Sequence, residues 1–158
     1  MKAKLKRYHK NAVVPKKAYD KDFCYDVYAT SEEEIAPNVW KYGLGWGMQI
    51  ERRLEDMDDF LCLDFGLSPL NLSIDFRPRS SVWKTGMVLS NCEGTIDEGY
   101  INEVSAVFYH VMPTMQRYRI GDRIGQIKIG VTFPIEFEEV EELNETERGL
   151  RGYGSSGK

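Results

Sequence analysis

The sequence contains few of the residues that form disulfides and zinc sites. Among its 158 residues are three cysteines and two histidines. Cys24, Cys62 and Cys92 are widely spaced and include no CxxC pair, so the pattern supports neither a disulfide framework nor a zinc site. We therefore expect the cysteines to be reduced and packed.

Long apolar segments and an excess of basic residues are also absent. The N-terminal stretch MKAKLKRYHK lacks the apolar segment of a signal peptide. No run approaches the roughly 20 apolar residues of a membrane-spanning helix. The net charge is -4, which disfavours a dedicated nucleic-acid binder. These absences predict a soluble, cytoplasmic protein with no membrane and no nucleic-acid partner, although a local basic site for a small anion stays open.

The residues that are present indicate a single β-rich domain. Hydrophobic residues make up 42% of the chain and charged residues 29%, which is an ordinary globular composition. Two segments alternate apolar and polar residues as half-buried strands do, around Lys128 and in FPIEFE from Phe133 to Glu138. Glycines suited to turns between such strands recur at Gly86, Gly94, Gly99, Gly121 and Gly130.

Two stretches depart from the β pattern. IERRLEDMDDFL, from Ile50 to Leu61, spaces its apolar residues by four, three and four, which indicates a short surface helix, although a charged hairpin fits nearly as well. After Val140 the sequence becomes polar and then rich in glycine, ending in RGLRGYGSSGK.

The stretch DFRPRSSVWKTG (Asp75 to Gly86) carries donors for an anion. Arginine, lysine and serine side chains with backbone N–H groups are the set that holds phosphate oxygens. The alternative for this stretch alone is a solvated basic loop.

The stretch NCEGTIDEGYINEV (Asn91 to Val104) can form a hairpin with Asp97 near its apex and Tyr100 close behind. A carboxylate beside an aromatic ring can hold a sugar hydroxyl and a water molecule. Taken alone, Asp97 fits better as a turn residue whose side chain bonds its own backbone.

Two further stretches complete the set. In GDRIGQIKIG a turn enters a strand, Gln126 can direct an amide at a ligand, and we expect Asp122 and Arg123 to form a structural pair. In the C-terminal RGLRGYGSSGK, glycines allow close approach to phosphate and arginines supply positive charge. The tail lacks GKS or GKT, so it is not a Walker phosphate loop, and a disordered terminus is the alternative.

Taken in order, these stretches resemble the five motifs of the trimeric deoxyuridine triphosphate nucleotidohydrolases (dUTPases). DFCYDVYA, PRSSVWKTG, NCEGTIDEGY, GDRIGQ and RGLRGYGSSG correspond to the first to fifth motifs. Each fragment is weak alone, and the order of all five makes the resemblance specific. It spans residues 22–158, with an apparent insertion around residues 50–72 that matches nothing in the family pattern.

The resemblance implies an all-β, jelly-roll-like subunit of the dUTPase β-clip type in a homotrimer with shared active sites. Residues 1–143 would form the single β domain, and residues 144–158 a flexible C-terminal lid carrying the fifth motif. The implied activity is Mg²⁺-assisted hydrolysis of dUTP to dUMP and pyrophosphate, which limits uracil in DNA and supplies dUMP for dTTP synthesis.

The resemblance also assigns roles by position. Asp97 becomes the catalytic carboxylate that orients the attacking water, Tyr100 packs under the deoxyribose, and Asp26 helps to hold magnesium through water. The uracil pocket would be bordered by Asn91, Gly94, Thr95 and Ile96. The phosphates would be met by Arg79, Ser80, Ser81 and Gln126. In the lid, the contact residues would be Arg148 on the γ-phosphate, Tyr153 stacked on uracil, and Gly154, Ser155 and Ser156 around the phosphate tail.

Some positions depart from the family pattern. Cys24 replaces a glycine of the first motif, Ile101 and Asn102 replace a common Arg-Gly after Tyr100, and Gly125 replaces a frequent alanine. We expect none of these changes to remove a group that the reaction needs.

Two other functions stay open. A dCTP deaminase shares the fold and the RSS stretch but lacks the C-terminal motif present here. A nucleotide-binding regulatory protein could use the insertion to contact a protein partner, although Asp97, Arg148 and the lid all remain.

Overall fold

The computed structural model describes residues 2–51, 71–132 and 135–152, and within these ranges the chain is almost entirely β. The described strands are β1 (Lys2–Arg7), β2 (Tyr25–Tyr28), β3 (Ser31–Ala36), β4 (Val39–Gly43), β5 (Trp46–Glu51), β6 (Asn71–Pro78), β7 (Met87–Leu89), β8 (Gly94–Ile96), β9 (Ser105–His110) and β10 (Arg123–Thr132). A 3-10 helix spans Val82–Thr85. The expected all-β, jelly-roll-like fold class is confirmed.

The strands form three antiparallel sheets. Strands β1 and β5 make a two-stranded sheet, and the two four-stranded sheets have the orders β2-β10-β6-β8 and β3-β4-β9-β7. Apart from β3 and β4, the paired strands come from separate parts of the chain. As a result, residues before Tyr28, near Pro78 and near Gln126 meet at one place.

The core is built from inward-facing residues of these sheets. Phe108 lies at its centre and makes edge-on ring contacts with Tyr42 at 5.9 Å, Phe76 at 6.2 Å and Tyr118 at 5.7 Å. Such edge-to-face geometry is favourable beyond the apolar area that it buries. The contact with Phe76 joins the two four-stranded sheets.

Strand β10 confirms one of the two alternating segments. Ile127 is buried and pairs with Phe76, while Lys128 faces the other side and forms an ion pair with Asp75 at 3.3 Å. Gly125 lies against the Phe76 ring: a Cβ atom built there would be 2.3 Å from Cζ of Phe76 and 2.8 Å from the carbonyl oxygen of Arg77. Gly125 stands where the family frequently has alanine, and here the Phe76 ring occupies the space that an alanine methyl group would need.

The second alternating segment is not a strand where the structure describes it. Residues 135–137 have no regular structure, and Ile135 and Phe137 are 71% and 90% exposed. Alternation alone does not form a strand when no neighbouring strand supplies hydrogen-bond partners. Phe133 and Pro134 lie outside the described residues, as does most of the predicted helix or hairpin, whose first residues Ile50 and Glu51 end β5.

Other expectations are corrected in detail. Gly94 begins β8 and Gly130 lies within β10, so neither forms a turn, whereas Gly86 and Gly121 have left-handed backbones with φ of 62° and 91°. Cys92 is exposed rather than packed, Cys24 is half-buried, and both are free thiols. Cys62 lies outside the described residues. Across the described ranges, no helix is both long and apolar enough to cross a membrane.

Candidate active site

Residues of β2 and β10, with the segments before β2 and after β6, surround a polar cavity of about 310 Å³, here named the Arg79 cavity. Its polar lining residues are Asp22, Cys24, Asp26, Arg79, Ser80, Arg123 and Gln126. The register of the sheet explains the grouping, because Gln126 of β10 lies opposite both Asp26 of β2 and Arg77 of β6. The end of β6 then delivers Arg79 and Ser80 to the same place.

An ion pair orders one side of the Arg79 cavity. Nη1 of Arg123 donates to Oδ2 of Asp26 at 2.6 Å, and this hydrogen bond raises the pKa of Arg123 above its ordinary value. The expected pair between Asp122 and Arg123 is wrong, because Oδ2 of Asp122 instead accepts the backbone N–H of Arg119 at 2.7 Å. The Asp122 carboxylate therefore stabilises the turn from Arg119 to Asp122.

Arg79 supplies the cationic group with freedom to bind a ligand. It forms no ion pair within the described ranges and is partly exposed. Its carbonyl oxygen accepts the N–H of Val82 at 3.0 Å, so the backbone turns into the 3-10 helix directly after it. This turn separates the two serines: Ser80 lines the Arg79 cavity, whereas Ser81 lines a neighbouring hollow of about 310 Å³ with Lys84 and Arg117.

A second cavity, here named the β8 pocket, has a volume of about 180 Å³ and a different character. It is lined by Phe76, Leu89, Ser90, Asn91, Gly94, Thr95, Ile96, Ser105, Ala106 and Val107. Because β8 is the edge strand of its sheet, one row of its peptide groups is not used by β6. Apolar walls beside free peptide groups suit a flat ring with hydrogen-bonding edges.

Gly94 brings the Asn91 amide close to this edge. A Cβ atom at Gly94 would lie 3.6 Å from Nδ2 of Asn91 and 3.4 Å from Cβ of Phe76. The structure thus places Asn91, Gly94, Thr95 and Ile96 together, as the sequence predicts.

Asp97 and Tyr100 follow β8 in a tight turn. The N–H of Tyr100 donates to the backbone oxygen of Asp97 at 2.9 Å, so this turn is closed by the backbone of Asp97 rather than by its carboxylate. The expected self-contained hairpin is not observed, because β8 pairs with β6 and residues 97–104 contain no return strand. Asp97 is exposed and Tyr100 is 43% exposed.

One chain does not bring all the predicted residues to one place. The Arg79 cavity and the β8 pocket share no lining residue, and Asp97 and Tyr100 line neither. Arg148 lies in the exposed C-terminal segment, where its side chain donates to the carbonyl oxygen of Arg151 at 3.0 Å. The predicted lid residues Tyr153, Gly154, Ser155 and Ser156 lie outside the described residues.

The side chains around Asp26 suit a magnesium ion only when the substrate supplies further ligands. Within the described ranges, no group of three or more His, Cys, Asp or Glu side chains could hold a metal by itself. Magnesium keeps several waters and commonly uses one or two carboxylates together with substrate phosphates. The two carboxylates of Asp22 and Asp26, in a cavity with two arginines, therefore fit an ion that arrives with a polyphosphate.

Sequence reasoning missed part of the Arg79 cavity. The sequence pairs Arg123 with Asp122 and indicates no role for Asp22 or Cys24, although both line the cavity. The signal was present in DFCYD, where Asp22, Cys24 and Asp26 alternate with more exposed residues and therefore share one side of the chain.

Comparisons with known proteins agree with this arrangement. A family model described as dUTPase matches residues 69–157. The deoxyuridine 5'-triphosphate nucleotidohydrolase of Corynebacterium glutamicum is 34% identical over 157 residues, covering 98% of this chain and 94% of that protein. The protein of the same name from Clostridium novyi is 30% identical over 158 residues, covering 99% of each.

Solved structures show the same fold at lower identity. The dUTPase of Staphylococcus bacteriophage 80alpha with dUpNHpp has a TM-score of 0.75 at 21% identity and covers 99% of each chain. A mutant dUTPase from phage phi11 of S. aureus, whose structure reveals the coordination of a structural Mg(II) ion, has a TM-score of 0.67 at 16% identity. That match covers 92% of this chain and 100% of the other.

Proposed function

The chain belongs to the dUTPase family, and we propose that it is a dUTP diphosphatase that hydrolyses dUTP to dUMP and pyrophosphate in the cytoplasm. The observation that carries the proposal is the Arg79 cavity, where Asp26, Arg79, Ser80 and Gln126 surround one space. Its action would limit uracil in DNA and supply dUMP for dTTP synthesis.

The Arg79 cavity is the proposed phosphate site. A triphosphate carries several negative charges, and the overall charge of this chain is -4, so binding depends on local cations. Arg79 can form paired charge-assisted hydrogen bonds with phosphate oxygens, and Ser80 and Gln126 add neutral donors. Ser81 lines the neighbouring hollow, which shares Arg79 and Arg123 with the Arg79 cavity, and would meet the phosphates from that side.

The β8 pocket is the proposed uracil site. The outward peptide groups around Thr95 and Ile96 and the amide of Asn91 can pair with the polar edge of uracil, while Phe76 covers an apolar side. Tyr100 would pack under the deoxyribose and leave no room for a 2'-hydroxyl. Selection against a hydroxyl by such packing acts through a steric clash and through desolvation of the hydroxyl.

Asp97 is the proposed catalytic residue. Its carboxylate would accept a hydrogen bond from a water molecule and aim the oxygen at the α-phosphorus. A bond then forms between the water oxygen and the α-phosphorus, and the bond to the bridging oxygen breaks, so that pyrophosphate leaves with the electron pair. The water proton passes to Asp97 and then to solvent. Positioning of this kind contributes by holding the reacting atoms at attack distance.

Magnesium is the proposed cofactor, held by the substrate phosphates with Asp26 binding one of its waters. When bound, it would neutralise phosphate oxygens and support departure of the pyrophosphate. The Arg123 ion pair at 2.6 Å fixes the orientation of the Asp26 carboxylate at the cavity. Removal of magnesium by a chelator should therefore abolish turnover.

A homotrimer with shared sites would resolve the separation of the two cavities. In this arrangement the Arg79 cavity of one subunit faces the β8 pocket and Asp97 of another. Residues 1–143 would form the body, with the insertion around residues 50–72. Residues 144–158 would form the lid that brings Arg148 and Tyr153 to the nucleotide, together with Gly154, Ser155 and Ser156.

Hydrolysis of dUTP in water enriched in oxygen-18 tests the proposed reaction. Attack at the α-phosphorus places the label in dUMP, whereas a label in pyrophosphate would contradict the mechanism. Asp97→Asn should reduce kcat by at least about a hundred-fold, and full turnover by this variant would exclude its role. Release of ammonia from dCTP would instead indicate a deaminase.

Subunit mixing tests the shared sites. Arg79→Ala and Asp97→Asn proteins, each inactive alone, are unfolded, mixed in equal amounts and refolded. If each site takes Arg79 and Asp97 from different subunits, random trimers regain about a quarter of the wild-type sites. If one chain supplies both residues, mixing restores no activity.

A further inference from the structure

The N-terminal strand reaches the turn that carries Asp97. The hydroxyl of Tyr8, the residue directly after β1, donates to the carbonyl oxygen of Ile101 at 2.8 Å. Ile101 directly follows Tyr100 and lies within residues 97–104, which contain no strand. This contact therefore bonds the backbone at the end of the turn to a part of the chain 93 residues away.

A second anchor lies two residues further along. Oε1 of Glu103 accepts the N–H of Gly45 at 2.8 Å, and the carbonyl oxygen of Glu103 accepts the hydroxyl of Tyr100 at 3.0 Å. Both anchors meet at Gly45, because its carbonyl oxygen accepts the N–H groups of Tyr8 at 2.8 Å and His9 at 3.1 Å. The turn is thus held from two directions by the connection between β4 and β5.

Close packing limits where the anchored backbone can lie. A Cβ atom at Gly47 would be 2.4 Å from the carbonyl oxygen of Ile101, 2.6 Å from that of Asn102 and 2.9 Å from Cε2 of Tyr8. The Tyr8 ring and the 101–102 backbone therefore pack against the same glycine. Any change that moves Tyr8 also changes the space open to Ile101.

We propose that Tyr8 is a positioning residue for the turn from Asp97 to Tyr100, acting through its hydrogen bond to Ile101. This inference rests on the proposed function. The catalytic carboxylate and the sugar-packing ring both lie on this turn, and neither has a strand partner to fix it. The acceptor is the backbone oxygen of Ile101, so the hydrogen bond depends on the Tyr8 hydroxyl and on the path of the backbone at Ile101.

Tyr8→Phe tests the proposal because it removes the hydroxyl and keeps the ring. We expect kcat for dUTP to fall by about five-fold, the size of one lost hydrogen bond, with KM changed by less than about two-fold. Discrimination between dUTP and UTP should narrow, since Tyr100 is less firmly held. Amide hydrogen exchange of residues 97–103 should become faster, while the melting temperature stays near that of the wild type.

Tyr109→Phe is the matched control. Tyr109 is on β9 and 47% exposed, against 43% for Tyr8, and its variant should change neither kcat nor exchange at residues 97–103. Gly47→Ala is the second variant, because its methyl group must displace Ile101, and its loss of kcat should exceed that of Tyr8→Phe.

The outcomes separate the two proposals. Unchanged kcat, selectivity and exchange in Tyr8→Phe would overturn the positioning role, as would faster exchange with unchanged kcat. If wild-type protein failed to hydrolyse dUTP, the proposed function would fall. The exchange measurement would then still decide whether Tyr8 holds the turn.

Discussion

Gly125→Ala should destabilise this protein even though alanine is frequent at the corresponding position of the family. The new Cβ atom would lie 2.3 Å and 2.6 Å from Cζ and Cε2 of Phe76 and 2.8 Å from the carbonyl oxygen of Arg77. Phe76 cannot move aside easily, because it is 2% exposed and packs edge-on against Phe108. Overpacking of a well-filled core costs about 1–3 kcal/mol, and contacts with both a ring and the backbone predict the upper half of that range.

The effect should be visible in thermal unfolding. For a domain of this size, about 2–3 kcal/mol corresponds to a fall in Tm of about 4–12 °C. Circular dichroism melts at equal subunit concentration measure it, since the Tm of an oligomer depends on concentration. Gly152→Ala is the control, because its methyl group would contact nothing within 4 Å.

A double-mutant cycle identifies the cause. In a Phe76→Leu background the ring is gone, so Gly125→Ala should cost less than about 1 kcal/mol, a coupling in the range expected for residues in contact. A Tm of Gly125→Ala within about 1 °C of the wild type would refute the reasoning. So would an equal cost in both backgrounds, because the Phe76 ring would then not be the cause.

The remaining predictions concern ion pairs. Glu32→Gln should cost about 1–3 kcal/mol near neutral pH, because it leaves the mostly buried guanidinium of Arg117 without its carboxylate partner at 3.0 Å; urea unfolding measures it. Burial raises the pKa of Glu32, but the hydrogen bonds and charges of Arg117 and Arg119 outweigh it and hold the pKa below 4.5. The stabilisation is therefore present above pH 4.5 and lost as the pH falls further, so the variant should lose less stability on acidification than the wild type. Arg123→Met should raise KM for dUTP at least about ten-fold by leaving Asp26 unpaired beside the phosphates, with Arg123→Lys retaining part of the affinity; steady-state kinetics would show equal KM values if the pair were irrelevant.

Alternation of apolar and polar residues predicts a strand correctly where neighbouring strands are present to pair with it. Around Lys128, alternation of apolar and polar residues corresponds to β10, which has strands on both sides. The same pattern at Ile135 and Phe137 does not produce a strand, because strand formation needs a neighbour and not only a periodicity. The stretch from Asp22 to Asp26 is the converse case. Its alternation is visible in the sequence, but we predict no shared cavity wall from that alternation alone.

The sequence predicts a set of candidate site residues but not their arrangement. Asp26, Arg79, Ser80 and Gln126 do meet in one cavity, although no local rule places residue 26 beside residue 126. The separation of Ser80 from Ser81 follows from the turn after Arg79, which the sequence does not specify.

The contacts that fix the site are of a kind that sequence cannot show. The anchor of Tyr8 on Ile101 spans 93 residues and uses a backbone oxygen, which any residue type provides. Likewise, glycine in place of alanine at position 125 is a small change in the sequence, but in the structure the Phe76 ring packs against Gly125.

Release of pyrophosphate from dUTP, dCTP, dTTP and UTP, each with magnesium and with a chelator, tests the central claim most directly. The account predicts rapid release from dUTP alone, abolished by the chelator. In the proposed function the β8 pocket would select uracil, Tyr100 would exclude the 2'-hydroxyl and the phosphates would carry magnesium to Asp26. Release from none of the four nucleotides, with dUTP still bound, would contradict it and favour a nucleotide-binding regulatory protein.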